Sequence, residues 1–366
     1  MVLRATRLAV AGSSRSTQGV RVAHSSNGKS IRSRKVTPVR AAAAETEAPE
    51  KPKGSAVIEG FFAGLARLGT TGTVQLKAKK DEKKSSVNKD GRDDNVVFVA
   101  GATGRTGARV VRELLESGFT VRAGARNVEA AESALSVAAS YGIIKADQVK
   151  RVTVVPFDVG NVEGFAAAIG NANKVVCAVG APEDQALNFS APKKVDGEGS
   201  VALINKAAEL GVTQFVLVTS LGTGKLGWPA GVLNLFGGVL LWKREAEKAL
   251  EASGMAYTIV RPGGMERPTD DYKKTHNLVL KPRDSTFGGQ VSRLQVAELV
   301  AATCRNPAAA ENKVLELVAE TTAPPRSFEE LLEEIPQDIT RVSDGGRMGG
   351  GGGGGGWRGV QRSRLV

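Results

Sequence analysis

Glycines at 101, 104 and 107 stand three apart, with Ala102, Thr103, Arg105 and Thr106 between them. Glycines so spaced between a strand and a helix do the chemistry of holding phosphate. Gly101 permits a sharp turn, Gly104 lets backbone N–H groups approach a pyrophosphate, and Gly107 lets the helix pack closely on the strand. The phosphates then meet the helix N-terminus, where unsatisfied N–H groups and the macrodipole favour negative charge. The spacing is GxxGxxG rather than GxGxxG, so the turn is one residue longer. Further along, Arg122-Ala123-Gly124-Ala125-Arg126 closes a second apolar segment. An acid at that point would accept from a ribose 2′-hydroxyl, whereas a cation meets a 2′-phosphate. Arg126, assisted by Arg105, therefore selects NADP(H) over NAD(H) as the expected cofactor. Asp158 is placed to accept from the adenine amino group with Val159 beside it, and Ala178, Val179 and Gly180 are placed along the cofactor ribose.

These residues need a scaffold, and the hydrophobic pattern supplies one. Val96–Ala100 is a short run rich in β-branched residues, and Val110, Val111, Leu114 and Leu115 then repeat on one helical face until Gly118. The same alternation continues. Strands are predicted at 119–125, 152–157, 174–179, 215–219, 257–260 and 313–318. Helices are predicted at 106–117, within 128–149, and at 162–169, 199–210, 231–253, 293–305 and 328–335, with a less regular stretch at 262–290. Strands alternating with helices specify an α/β fold, a doubly wound parallel sheet covered on both faces. A ligand then lies at the carboxyl ends of the strands.

The ends read differently. Residues 1–40 hold nine Lys or Arg and no acid, with many Ser and Thr, which is the composition of an organelle transit peptide. Residues 41–91 read as a linker, with Pro49, Pro52 and a charged run at 77–84. Inside it Val57, Ile58, Phe61, Phe62, Leu65 and Leu68 fall at helical spacing, a short amphipathic helix for a membrane surface or for packing on the folded domain. The domain itself is expected over 92–340, followed by a Gly/Arg-rich disordered tail at 341–366.

Net charge is +12, but the first 40 residues carry +9 and residues 341–366 carry +4, leaving −1 for 41–340. A near-neutral body offers no basic field, and nucleic acid is excluded as a partner of the domain. Cys177 and Cys304 form no CxxC pair, and neither they nor His24 and His276 make a metal or catalytic cluster. Cys177 reads as an inert buried thiol. The apolar stretch Trp228–Trp242, broken by Pro229 and Asn234, is shorter than the ~20 residues a spanning helix needs.

Thr219-Ser220-Leu221-Gly222 after the fifth strand, Lys243 in the long helix and Arg261-Pro262-Gly263-Gly264 after the sixth strand complete the pattern. Here the sequence resembles the atypical, NmrA-like branch of the short-chain dehydrogenase/reductases, with their Rossmann-like fold. The resemblance implies that Ser220 and Lys243 are the catalytic serine and lysine, that Lys243 holds the nicotinamide ribose, and that Pro262, Gly263 and Gly264 lie against the nicotinamide. The family's tyrosine acid falls four residues before the lysine, and that position is Val239. Valine has no proton to donate to a developing alkoxide, so ordinary carbonyl reduction is not expected.

The runs VFVAGATGRTGARVVRELLESGFTVRAGAR, LVTSLGTGKLGWPAGVLNLFGGVLLWKREAEKALEASG, YTIVRPGGMERPTDDYKKTHNLVL and FGGQVSRLQVAELVAATCRNP are similar to the NADP-binding, redox-sensing subunit family of the chloroplast inner-envelope import translocon. This resemblance spans about 94–337 and implies a stromal protein that also works peripherally at the inner envelope or thylakoid membrane. It further implies binding of ferredoxin–NADP reductase through C-terminal Pro/Ser-rich repeats. After Pro336 this chain has Gly and Arg in their place, so no tight complex with that reductase is expected. Three functions stay open: an NADP-responsive redox sensor, a reductase of a quinone-, flavin- or isoprenoid-like acceptor, and a non-catalytic interaction module with a structural dinucleotide.

Overall fold

Val97, Phe98, Val99 and Ala100 are fully buried, as a central parallel strand with helices on both faces requires. They end β1 (Asp93–Ala100) in a computed structural model that describes residues 91–181, 190–224 and 238–338. The expected transit peptide, linker helix and Gly/Arg tail lie outside the described residues. Seven further strands join β1: β2 (Thr120–Ala125), β3 (Val152–Pro156), β4 (Ala172–Cys177), β5 (Gln214–Val218), β6 (Ala256–Pro262), β7 (Asn277–Lys281) and β8 (Lys313–Glu320). Their order is β3-β2-β1-β4-β5-β6-β8-β7. All neighbours pair in parallel except β7, which is antiparallel to β8. The chain winds outward from β1 to β3 and then returns to β4 on the other side. The topological switch point therefore lies between β1 and β4, at the carboxyl ends of both.

Helices α1 (Arg105–Glu116), α2 (Val128–Ser140), α3 (Ala146–Val149), α4 (Phe165–Ile169), α5 (Ser200–Glu209), α6 (Val239–Ala252), α7 (Arg293–Arg305), α8 (Pro307–Ala310) and α9 (Phe328–Glu333) cover the sheet. One apolar cluster joins Val110, Leu114 and Leu115 of α1 to Val296, Leu299 and Val300 of α7 over Val97, Val99 and Leu315. The other joins Phe165, Leu203, Ile204, Ala246 and Leu250 over Phe98, Val175 and Phe215. This is the doubly wound, Rossmann-like sheet expected from the pattern.

Four details differ from the sequence reading. The helical stretch expected within 128–149 is two helices, because the chain turns at Tyr141–Lys145 with Gly142 at φ 68°. Strand β7 falls in the stretch expected to be irregular; it is a five-residue edge strand, only partly buried, so its pattern is short. Residues Lys193–Gly199 form a π-helical turn ahead of α5. The described part of the long helix begins at Val239, so Lys243 stands near its start rather than its middle. Positions 231–237 of that expectation, and 228–237 of the apolar stretch, lie outside the described residues. Of the remainder, Leu240 is buried and Leu241 is exposed. No helix among the described residues is long and apolar enough to cross a membrane.

Candidate functional site

The glycine loop leaves β1 at the switch point. Gly101 takes φ 79°, and a Cβ there would stand 2.8 Å from the carbonyl oxygen of Ala178, the residue that follows β4. The turn closes through the Gly104 N–H, which donates to the Gly101 carbonyl at 3.0 Å. A Cβ on Gly107 would collide with that same carbonyl, so only glycine lets α1 approach its own loop. Gly104 is the N-cap of α1 and brings no side-chain cap. The N–H groups of Thr106 and Gly107 thus get no capping oxygen from it, which leaves them for an anion at this helix start.

Strand register carries the other predicted residues to the same edge. Val99 lies opposite Ala123 and Val176, Ala100 opposite Cys177, and Ala125 opposite Pro156. Arg126, Asp158, Val159 and Ala178–Gly180 each follow directly on these strand ends. Arg126 and Asp158 are exposed, and Asp158 Oδ1 accepts from the Gly160 N–H at 2.9 Å. That bond holds the loop and leaves Oδ2 for another donor. This edge is therefore built from backbone positions, with exposed polar side chains at its rim.

The other side is built from side chains. Val218 pairs with Val260, and the Leu221 N–H donates to the Pro262 carbonyl at 3.0 Å, which sets Ser220 beside Pro262–Gly264. Gly263 N–H donates to the Leu317 carbonyl and Gly264 N–H to the Gly289 carbonyl, both at 2.9 Å. Ser220 is half-buried, and its Oγ donates to the Leu221 carbonyl at 3.3 Å, a local bond that a ligand can replace. Lys243, expected to face the nicotinamide ribose, donates to Asp196 Oδ1 at 2.6 Å. The other oxygen of Asp196 accepts from the Ala181 N–H at 3.1 Å, so this carboxylate ties the loop after β4 to α6.

A buried ionic network lies behind that site. Arg261 is fully buried and grips Glu247 with two bonds, Nε to Oε1 at 3.0 Å and Nη2 to Oε2 at 2.7 Å. Its Nη1 reaches Asp284 at 2.8 Å and Glu316 at 3.3 Å. Thr219 and Thr223 donate to Glu247 Oε1 at 2.8 and 2.9 Å, so the network fixes the chain on both sides of Ser220. Glu316 accepts the N–H groups of Asp284, Ser285 and Thr286, pinning the segment that follows β7. Burial alone would raise the Glu247 carboxyl, but the Arg261 guanidinium and the two threonine hydroxyls hold it below the usual carboxylate range. Burial pushes the Cys177 thiol up, and Cys304 up to about 12, so neither supplies a thiolate.

Sequence reasoning singled out Arg261 within a motif and missed its partners Glu247, Asp284 and Glu316, and also Asp196. These acids lie on four separate segments, and no local spacing connects them. A second buried pair, Arg109 Nε to Asp270 Oδ1 at 2.8 Å, joins α1 to the short helical turn Asp270–Lys274 and was equally hidden. Among the described residues no His, Cys, Asp and Glu group could hold a metal.

Comparison with known proteins agrees with this geometry. Residues 101–307 match a family model described as NAD(P)H-binding. Over 254 residues the chain is 50% identical to the chloroplastic protein TIC 62 of Pisum sativum, covering 68% of this chain and 47% of that protein. It is 38% identical over 268 residues to an uncharacterized chloroplastic protein of Arabidopsis thaliana, covering 72% of this chain and 88% of that one. The chain spans about half the length of its TIC 62 relatives. A solved Bacillus halodurans structure of NAD-dependent epimerase/dehydratase type shares the fold, with a TM-score of 0.53, 22% identity, and coverage of 65% of this chain and 98% of that one.

Proposed function

The chain belongs to the NAD(P)H-binding family, and on that premise we propose that it is a plastid NADP(H)-binding redox sensor of the atypical short-chain dehydrogenase/reductase type, working at chloroplast membranes or in protein import. The observation that carries the dinucleotide-binding part of this reading is the glycine loop, closed on itself at Gly101 and Gly107 where β1 meets α1, and its plastid import context rests on the similarity to chloroplastic TIC 62. Arg126 at the end of β2 gives the NADP(H) preference by meeting the 2′-phosphate, and Asp158 receives the adenine amino group. Ser220 and Lys243 face the nicotinamide half, with Pro262–Gly264 against the ring. The chloroplast location follows from relatives named as chloroplastic.

Val239 favours the sensor, or a non-catalytic interaction module with a structural dinucleotide, over a second reading, an NADPH-dependent reductase of a quinone-, flavin- or isoprenoid-like acceptor, with which it is still compatible. Val239 stands where an acid would be, and such acceptors take hydride without a tyrosine. The import translocon and the membrane surface are the proposed partners. NADPH fluorescence titration of the protein tests the cofactor, and flotation with chloroplast-lipid vesicles in NADP⁺ and in NADPH tests the sensor. Binding with cofactor-dependent flotation supports the sensor. NADPH consumption with an acceptor and unchanged flotation transfers support to the reductase, and absent NADPH binding removes both.

A further inference from the structure

Residues Lys193–Gly199 wind as a π-helical turn directly before α5. Such turns hold one residue more than an α-turn, are rare, and are frequent at functional sites. The buried side chain here is Asp196. It is 1% exposed, and its partner Lys243 is 14% exposed. The turn is seated on α6 by Trp242, which lies against Gly197, and Lys193 stands over the same indole at 5.8 Å.

We propose that Asp196 is a positioning residue of the cofactor site, holding the Lys243 ammonium for the nicotinamide half of NADP(H); this rests on the NADP(H)-binding reading above. Three facts carry it. The carboxylate is removed from water, so its attraction for Lys243 is little screened and its direction is fixed. Its two oxygens join two segments: Oδ1 takes Lys243 from α6, and Oδ2 takes the Ala181 N–H from the loop that continues Ala178–Gly180. Lys243 has three donors and gives one of them to Asp196. The others are available to ribose hydroxyls. A bare lysine on a four-carbon stem samples many rotamers, and the pair restricts it to one before the cofactor arrives.

Asp196→Asn keeps the shape and the acceptor for Ala181 but removes the charge that fixes Lys243. The test is titration of the full chain and of Asp196→Asn, Lys243→Met and the double variant, with NADPH and with 2′,5′-ADP, which carries only the adenosine half. Thermal midpoints are measured alongside. Expected is a loss of about tenfold in NADPH affinity for each single variant, with no further loss in the double variant and 2′,5′-ADP affinity unchanged. NADPH binding by Asp196→Asn equal to wild type overturns the proposal. Equal losses for NADPH and 2′,5′-ADP also overturn it, because Asp196 then supports the fold and not the nicotinamide end. If wild type binds neither ligand, the NADP(H) reading itself fails, a result distinct from the other two.

Discussion

The two halves of the proposed dinucleotide site, one assigned to adenosine and one to nicotinamide, are made by different means. The adenosine half, at the ends of β1, β2 and β3, is a matter of backbone: glycines that let a loop and a helix touch, and strand register that puts Arg126 and Asp158 at one edge. The nicotinamide half, at the ends of β4, β5 and β6, is held by charged side chains, in the buried Arg261–Glu247–Glu316 network and in the pair of buried Asp196 with half-buried Lys243. The difference teaches where each half is vulnerable. The first half fails when an atom is added, the second when a charge is removed.

The largest expected effect is on the charged side. Glu247→Ala leaves Arg261 without its bidentate partner in a fully buried position, and truncating one member of such a pair costs about 3–5 kcal/mol. Urea unfolding measures it, and a loss below ~1 kcal/mol would mean that the network does not hold this half. Next comes an added side chain on the backbone side. Gly107→Val forces α1 away from the Gly101 carbonyl, at about 1–3 kcal/mol of stability, and should abolish NADPH binding. Retained binding in a folded Gly107→Val protein would show that the loop is not the phosphate site.

A third prediction sets two buried carboxylates against each other. Glu247 has a depressed pKa, so its contribution is present above the ordinary carboxylate range and is lost as pH falls through the depressed value. Glu113 on α1 is opposite. Burial raises its pKa from 4.5 to about 7, its neighbour Arg112 at 3.1 Å lowering it only in part. In that window the folded state keeps a proton that the unfolded chain has released, so stability falls as pH rises from about 4.5 to about 7. Glu113→Gln should therefore gain about 1–2 kcal/mol at pH 8 and nothing at pH 4. Denaturant midpoints across pH check it, and a variant that follows the wild-type curve would refute it.

What could be read from the sequence follows the same division. Gly101, Gly104 and Gly107 lie within seven residues of one another, and strand and helix periods place them, so the tight turn between β1 and α1 was legible. Arg126 and Asp158 followed because each comes straight after a strand. On the other side, Ser220, Lys243 and Pro262–Gly264 were singled out only through resemblance. Glu247, Glu316 and Asp196 were not, because a contact made by residues dozens of positions apart leaves no periodic trace. The π-turn was hidden for a related reason: one extra residue in a helical stretch barely changes its hydrophobic pattern. Strand β7 escaped because an edge strand half open to water has a weak apolar pattern.

The central claim is that the adenosine half reads a 2′-phosphate through Arg126, and its most direct test is a paired titration of NADPH and NADH into wild type and Arg126→Ala. Wild type should bind NADPH more tightly, and the variant should lose about tenfold or more of that affinity while NADH binding stays unchanged. NADPH affinity that is equal in the two proteins would contradict it.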